Sequence, residues 1–266
     1  MAGNLLRFLA FFMRNVLLRN KKFIRLTPNK KGKVIFFSKK TKKIFSIHVR
    51  NGIDVYTADQ IYTNQDYDID FLERGAEIRK HYQDTVSNGG KCLIIDCGAN
   101  IGLSARFLSE EFPLAKVVAL EPDSRNFELA KKNCADKPNI DIRKCAIGSE
   151  SGYVTIVNTD DFANAFRTEI HNSPDGIPLV TIEDIAKEFE GHKLFFVKVD
   201  IEGFEEDLFS KNTGWLDRTY LLVIELHDWM LPKEANSRNF LKVVSSKNRD
   251  FVYRRENIFS ISNEIN

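Results

Sequence analysis

Residues 93–102 read LIIDCGANIG, an apolar run that leads into an acid and two glycines. The apolar run predicts a buried strand, and Gly98 predicts a tight turn that a side chain would obstruct. Gly102 marks the start of a helix and allows the helix and a ligand to approach closely. Asp96 lies at the strand end, where it can hydrogen-bond a ligand or steady the turn. This order is typical of the first unit of a Rossmann-like α/β sheet.

From residue 91 onward the chain alternates short apolar runs with helical segments. The predicted strands cover residues 92–95, 117–120, 140–143, 194–199 and 221–225, and the predicted helices cover 102–111, 124–134, 182–190 and 205–210. Continuous apolar strands separated by helices indicate a parallel sheet covered on both faces. Two apolar runs near the C-terminus, at 251–253 and 258–261, predict a closing antiparallel hairpin. The predicted fold class is therefore α/β, with a mostly parallel sheet and an antiparallel final hairpin.

A second strand ends in Glu121, about 20 residues further on, where Rossmann-like sites place a carboxylate that grips both ribose hydroxyls of a cofactor. The preceding glycines follow the pattern D-x-G-x-x-x-G, whereas dinucleotide sites use G-x-G-x-x-G to seat a pyrophosphate. S-adenosylmethionine has no pyrophosphate, so the spacing favours this cofactor over a nicotinamide. After the next strand, a small turn at residues 144–148 is expected to pack beside the adenine.

Composition narrows the function classes. The net charge is +2 and the pI is near 8.2, which argues against a dedicated nucleic-acid binder. The four cysteines form no C-x-x-C pair, which argues against a zinc ribbon or a redox motif. Free cysteines in apolar runs fit the reducing cytoplasm.

The N-terminal part is predicted as a separate region, residues 1–65, ahead of a cofactor-binding domain at 66–266. Apolar residues in 1–22 have helical spacing, but basic residues interrupt them, and the apolar run is too short to span a bilayer. This helix either packs on protein or contacts a membrane surface through residues 1–25. Residues 33–57 predict a small antiparallel β-element.

Two further segments carry predictions. Residues 68–86 have a loose helical face. Between the third and fourth strands, a hairpin-like run at 153–157 precedes a polar stretch at 158–175. That stretch is long for a connection in a compact domain, so a functional loop or lid is expected there.

Several runs resemble the FkbM-type methyltransferases: IIDCGANIGLSA, ALEPDSRNFELAKKN, KCAIGSESG, VTIEDI, FFVKVDIEGFEEDLF and LLVIELH. The resemblance covers about residues 68–229, and the KVDIEGFE block is its most specific part. It implies a class I methyltransferase sheet with a reversed final strand, S-adenosylmethionine as cofactor, and methylation of hydroxyl oxygens of sugars or polyketides. The residues that match the family's cofactor positions are Asp96, Gly98, Asn100, Gly102, Glu121 and Ala146.

The candidate catalytic residues follow the fourth and fifth strands and are Asp200, Glu202 and His227. A hydroxyl acceptor must lose its proton as it attacks the methyl group, and a carboxylate or a histidine can take that proton. Asp200 is the first candidate for this base and His227 the second. The structural alternatives are that Glu202 caps the next helix and that His227 only hydrogen-bonds its neighbours.

A metal ion is a weighed alternative at the same place. Asp200, Glu225 and His227 offer ligands that Mg²⁺ or Mn²⁺ accepts. Carboxylates at strand ends are common without a metal, so the prediction includes none. The acceptor is expected to be a small molecule or glycan. Competing interpretations are a methyltransferase acting on nitrogen or on protein, and a non-catalytic membrane-associated protein that kept the fold.

Overall fold

The computed structural model describes residues 21–27, 32–158, 166–171 and 175–264, and the chain divides into two units, Met1–Asp68 and Ile69–Asn266. The predicted N-terminal helix at 1–22 falls almost wholly outside the described residues. Within the described ranges, no helix combines the length and the apolar character that crossing a membrane requires.

The first unit contains an antiparallel sheet and a short helix. Its elements are β1 (Phe23–Arg25), β2 (Gly32–Ser38), β3 (Lys43–Val49) and α1 (Gly52–Ala58), and a π-helical turn follows at Asp59–Thr63. The sheet has the order β1-β2-β3. Aromatic rings form its core, with the Tyr62 ring centroid 5.0 Å from that of Phe23 and 5.1 Å from that of Phe36.

The β-element predicted at 33–57 ends earlier than expected. Its strands β2 and β3 pair in antiparallel register, but residues 52–58 are helical. The reason is Asn51, whose side chain accepts hydrogen bonds of 3.0 Å from the backbone N–H groups of Ile53 and Asp54. Asn51 therefore caps a helix, and this helix replaces the last part of the predicted β-element.

The second unit is the α/β domain. Its helices are α2 (Gly75–Ser87), α3 (Leu103–Glu111), α4 (Ser124–Cys134), α5 (Ile182–Glu188), α6 (Glu205–Leu208) and α7 (Arg238–Ser245), with a 3₁₀ turn at Thr213–Arg218. Its strands are β4 (Lys91–Cys97), β5 (Lys116–Leu120), β6 (Ile140–Arg143), β7 (Ala146–Ile147), β8 (Gly152–Asn158), β9 (Phe166–His171), β10 (Ile177–Val180), β11 (His192–Val199), β12 (Leu221–Glu225), β13 (Arg249–Arg254) and β14 (Asn257–Ser262).

Seven of these strands form the central sheet, in the order β13-β14-β12-β11-β4-β5-β6. The five strands from β12 to β6 are parallel, and β14 pairs antiparallel with both β12 and β13. The predicted α/β fold with an antiparallel final hairpin is thus confirmed. The chain runs outward from β4 to β6 and then crosses to β11 on the other side. The carboxyl ends of β4 and β11 therefore form the switch point at which such sheets bind ligands.

The apolar interior is built from the strands that the sequence predicted. Leu93, Ile95, Val118, Val197 and Ile224 are all fully or almost fully buried in one cluster. The four cysteines are free and buried. All four therefore pack as small apolar side chains.

Two segments differ from their predictions. The helix expected at 68–86 begins only at Gly75, because the preceding turn folds back so tightly that a Cβ on Gly75 would lie 2.3 Å from the carbonyl oxygen of Ile69. The polar stretch expected as a loop at 158–175 contains strand β9, which pairs antiparallel with β8. Together with β7 and β10 these strands form a four-stranded sheet, while residues 159–165 and 172–174 of the expected lid lie outside the described ranges.

Candidate active site

The turn after β4 is locked between its two neighbouring strands. Gly98 has a φ of 80°, and a Cβ there would lie 1.8 Å from the carbonyl oxygen of Asp200. The backbone N–H groups of Gly98 and Ala99 donate to the carbonyl of Leu120, at 3.1 and 2.8 Å. Only glycine fits this position, because the loops after β4 and β11 touch there through their backbones.

Gly102 serves the packing of two helices. It precedes α3 with a φ of 85°, and a Cβ there would lie 3.0 Å from both the Cα of Ala130 and the Sγ of Cys134 on α4. From the sequence, Gly102 was expected to let the helix and a ligand approach closely. In the structure, the side of Gly102 where a Cβ would project faces α4.

Glu121 and the glycine turn meet as the spacing predicted. The Glu121 carboxylate is 5% exposed and accepts hydrogen bonds from the backbone N–H groups of Asn100, at 2.8 Å, and Asp123, at 2.9 Å. Asn100 adopts a positive φ of 49°, which aims its N–H at the acid. Burial raises the pKa of Glu121 to about 7, and the two backbone donors oppose that shift.

Asp96 is wholly buried under the turn and faces a buried lysine. It accepts a 2.5 Å hydrogen bond from the hydroxyl of Ser104. The Nζ of Lys198 lies 3.2 Å from its Oδ1 and 3.3 Å from Oδ2 of Asp200. The same Nζ donates to the carbonyl of Gly98 at 2.6 Å. Asp96 therefore steadies the turn through Lys198, which joins the loops after β4 and β11.

Ala146 belongs to the four-stranded sheet and not to the central sheet. It pairs with Leu179 across β7 and β10, and its side chain packs in a small apolar cluster with Leu179 and Val154. Its proximity to an adenine ring stays a prediction.

A second cluster lies at the ends of β11 and β12, around the buried ring of His227. The Nε2 of His227 lies 3.6 Å from Oδ1 of Asp200 and 3.7 Å from Oε1 of Glu225. On the other side of the ring, Nδ1 hydrogen-bonds Oε1 of Glu205 at 2.9 Å. Glu202 lies in the turn between Asp200 and Glu205, with a φ of 57°. The structure thus brings together the acids and the histidine that the sequence placed at these strand ends.

Residues 96–254, more than half of the chain, match the family described as the methyltransferase FkbM domain. This chain belongs to that family. The expected methyltransferase class is confirmed with it. The matched range includes the candidate residues of both clusters.

Known proteins similar to this FkbM-family chain include the hexuronic acid methyltransferase AglP of Haloferax volcanii. It is 25% identical over 173 residues, which cover 62% of this chain and 71% of AglP. Among solved structures, an O-methyltransferase of Bacillus cereus in complex with SAH has a TM-score of 0.41 and 11% identity. The matched region covers 71% of this chain and 81% of the Bacillus cereus chain. Monomeric WbdD has a TM-score of 0.41 and 12% identity, and the matched region covers 71% of this chain and 40% of the WbdD chain.

The pKa values of the second cluster reflect its crowded negative charge. Burial and the charge of Asp200 raise the pKa of Glu202 to about 7 and that of Glu225 to about 8. Burial alone would lower the pKa of His227, but the hydrogen bond to Glu205 and the surrounding acids outweigh it and raise the value to about 9. A group that carries positive charge is therefore favoured among these acids.

Two residues of this FkbM-family site were missed by the sequence interpretation. Glu205 is fully buried and also accepts a 2.6 Å hydrogen bond from Asn236. A signal existed, since Glu205 lies three residues before the buried Leu208 on the same helical face. Trp229 is 72% exposed, and its ring centroid lies 6.5 Å from that of His227.

Proposed function

We propose that this chain binds S-adenosylmethionine across the carboxyl ends of β4 and β5 and transfers its methyl group to a hydroxyl of a sugar or glycan. The observation that carries the proposal is the buried carboxylate of Glu121, hydrogen-bonded to the loop that begins at Gly98. An acid at this position in a Rossmann-like sheet suits the two ribose hydroxyls of an adenosine. The cofactor residues proposed are Asp96, Gly98, Asn100, Gly102 and Glu121, with Ala146 near the adenine.

The second cluster supports the chemical step. In a methyl transfer, the acceptor oxygen bonds to the methyl carbon while the carbon–sulfur bond breaks and its electron pair stays on sulfur. Holding oxygen, carbon and sulfur in line supplies much of the rate. The hydroxyl proton must pass to a base, for which Asp200, Glu202 and His227 are the candidates. Asp200 ranks first because its side chain is 27% exposed beside the switch point, whereas His227 is almost fully buried.

Two observations favour a sugar acceptor. The relative AglP is described as a hexuronic acid methyltransferase. In this chain, the exposed indole of Trp229 lies beside His227 and offers a flat apolar surface. The C–H face of a sugar ring can pack on such a surface while its hydroxyls face the acids.

The experiment is a transfer assay with methyl-labelled S-adenosylmethionine and a panel of hexuronic acids and glycans. Wild-type protein is expected to label an acceptor on oxygen. Asp200→Ala is expected to lose turnover at least a hundredfold while its affinity for S-adenosylhomocysteine changes less than twofold. Glu206→Gln, an exposed acid on α6, is the matched control and should behave as wild type. Label found only on nitrogen or on protein would contradict the sugar hydroxyl as acceptor.

A further inference from the structure

We propose that Asp200, Glu225 and His227 form a binding site for one divalent cation at the carboxyl ends of β11 and β12. Each residue offers one ligand atom, and the three atoms lie within 4.8 Å of one another. The set combines two carboxylates with one imidazole.

The spacing of these atoms leaves room for a shared ion. Nε2 of His227 lies 3.6 Å from the Asp200 oxygen and 3.7 Å from the Glu225 oxygen, both longer than an N–H···O hydrogen bond. Two ligands that lie about 2.1 Å from one ion, at an angle of roughly 90 to 120°, are about 3.0 to 3.6 Å apart. The two distances from Nε2 lie at or just above the upper end of this range.

The orientation of His227 is the second, independent observation. Its side chain is only 3% exposed, and Nδ1 is held at 2.9 Å from Glu205. An ion that binds here displaces the proton that Nε2 otherwise carries. The lone pair of Nε2 then faces the gap between the two acids, while Nδ1 keeps its proton toward Glu205. A carboxylate behind the ring is the arrangement that orients metal-binding histidines.

Glu205 is itself held in place. It is fully buried, and its second oxygen accepts a 2.6 Å hydrogen bond from Asn236. Its first oxygen also faces the backbone N–H groups of Ile201 and Gly203, at 3.3 and 3.4 Å. The histidine ring therefore points to the gap from a fixed support.

The balance of charge also favours a cation. Four carboxylates act on His227 or adjoin it, and they belong to Asp200, Glu202, Glu205 and Glu225. Lys198 offsets part of this charge through Asp200. Carboxylate oxygens suit Mg²⁺ and Mn²⁺, and the imidazole favours a transition metal over Mg²⁺, so Mn²⁺ is the ion chosen for the test.

The use of this ion rests on the proposed function, although its binding does not. Next to the methyl-transfer position, the cation would hold the acceptor hydroxyl and polarise it. Asp200 would then act as a ligand, and Glu202 would remain as the carboxylate that takes the proton.

The test is a titration of the full-length, chelator-treated protein with MnCl₂, followed by calorimetry and by electron paramagnetic resonance of free Mn²⁺. Wild type is expected to bind one ion per chain, and Asp200→Asn and Glu225→Gln are each expected to weaken binding at least tenfold. Glu206→Gln should bind as wild type does. Circular dichroism on each variant checks that the fold is intact.

Saturable binding that is equal in wild type, Asp200→Asn and Glu225→Gln would overturn the site, and so would no saturable binding to wild type. S-adenosylhomocysteine is titrated into the same samples. A wild-type protein that binds this product without binding Mn²⁺ overturns the cation site alone. Mn²⁺ binding without binding of the product overturns the proposed cofactor and leaves the cation site supported.

Discussion

At the scale of single residues, Glu121 connects burial to cofactor affinity. Its pKa is raised to about 7, so the folded protein holds this proton more tightly than a free glutamate does. Ribose hydroxyls donate to the ionised carboxylate and bind it better than the neutral acid. The pKa shift therefore predicts that affinity falls as the pH drops through 7.

S-adenosylhomocysteine is expected to bind about tenfold more weakly at pH 6 than at pH 8, because the ionised fraction of a group with a pKa near 7 falls about tenfold over that range. Calorimetry at several pH values measures this. Glu121→Gln should show weak binding with a flat pH profile, and Glu128→Gln, an exposed acid on α4, should keep the wild-type profile. A flat profile in wild type would contradict the role of Glu121.

Lys198 compensates the buried charge of Asp96. Since both side chains are at most 2% exposed, replacing the lysine with methionine leaves a carboxylate without its nearest positive charge. Lys198→Met is expected to lower the free energy of unfolding by about 3 kcal/mol or more. Urea unfolding measures the loss, and Lys193→Met, on the exposed side of the same strand, should change it by less than about 0.5 kcal/mol. Equal losses of stability in the two variants would show that Lys198 does not compensate the buried charge of Asp96.

Trp229 is predicted to bind the acceptor without contacting the cofactor. Trp229→Ala should raise KM for the sugar about fivefold, equal to roughly 1 kcal/mol of lost packing, with an unchanged affinity for S-adenosylhomocysteine. Steady-state kinetics measure both values. Tyr253→Ala removes an equally exposed aromatic ring on β13 and should leave KM as it is. An unchanged KM in Trp229→Ala would show that this ring does not bind the acceptor.

At the scale of elements, the backbone contact between the β4 and β11 loops sets the shape of the site. Gly98→Ala would place a Cβ 1.8 Å from the carbonyl oxygen of Asp200, so both loops must move. We expect this variant to lose about 3 kcal/mol or more of stability and to bind no S-adenosylhomocysteine.

Gly89 provides a matched control for that substitution. Its φ of 79° is almost that of Gly98, but no atom lies within 4 Å of the place of a Cβ. Gly89→Ala should therefore cost only about 1 kcal/mol and should leave product binding unchanged. Thermal unfolding and calorimetry compare the two variants, and equal losses in both would mean that the loop contact is unimportant.

The elements also show what sequence reasoning can reach. Strand β5 and helix α4 were predicted to within a residue, because buried strands and helical faces leave periodic patterns. The predictions for residues 68–74 and 52–57 were wrong, because the start of α2 at Gly75 and the helix after Asn51 each depend on a local contact that periodicity does not record. Strand β9 was missed although a signal existed, since Phe166, Thr168 and Ile170 alternate with charged or polar residues along it.

The candidate site divides in the same way. The contact between Glu121 and the turn that begins at Gly98 was predictable, because their spacing along the chain reflects one strand–turn–helix unit and its neighbour. The contact of His227 with Glu205 joins two segments that are 22 residues apart, and no local sequence pattern predicts it. The exposure of Trp229 likewise depends on the loop after β12, whose path the sequence does not specify.

At the scale of the whole molecule, the strand order explains why two clusters from distant segments share one edge of the sheet. The crossover from β6 to β11 sets Asp200 next to the turn at Gly98, about a hundred residues earlier in the chain. The proposed cofactor crevice and the acidic cluster are thus neighbours by topology. This arrangement is what a methyltransferase needs, since the donor sulfonium and the acceptor oxygen must meet in line.

The measurement that tests the account most directly is calorimetric titration of the folded protein with S-adenosylhomocysteine at pH 8. We expect one molecule to bind per chain. We expect the Glu121→Ala variant, once circular dichroism has shown that it is folded, to bind S-adenosylhomocysteine at least tenfold more weakly. A folded wild-type protein that binds no S-adenosylhomocysteine, or a Glu121→Ala variant that binds it as tightly as wild type, would contradict the placement of the cofactor at the ends of β4 and β5.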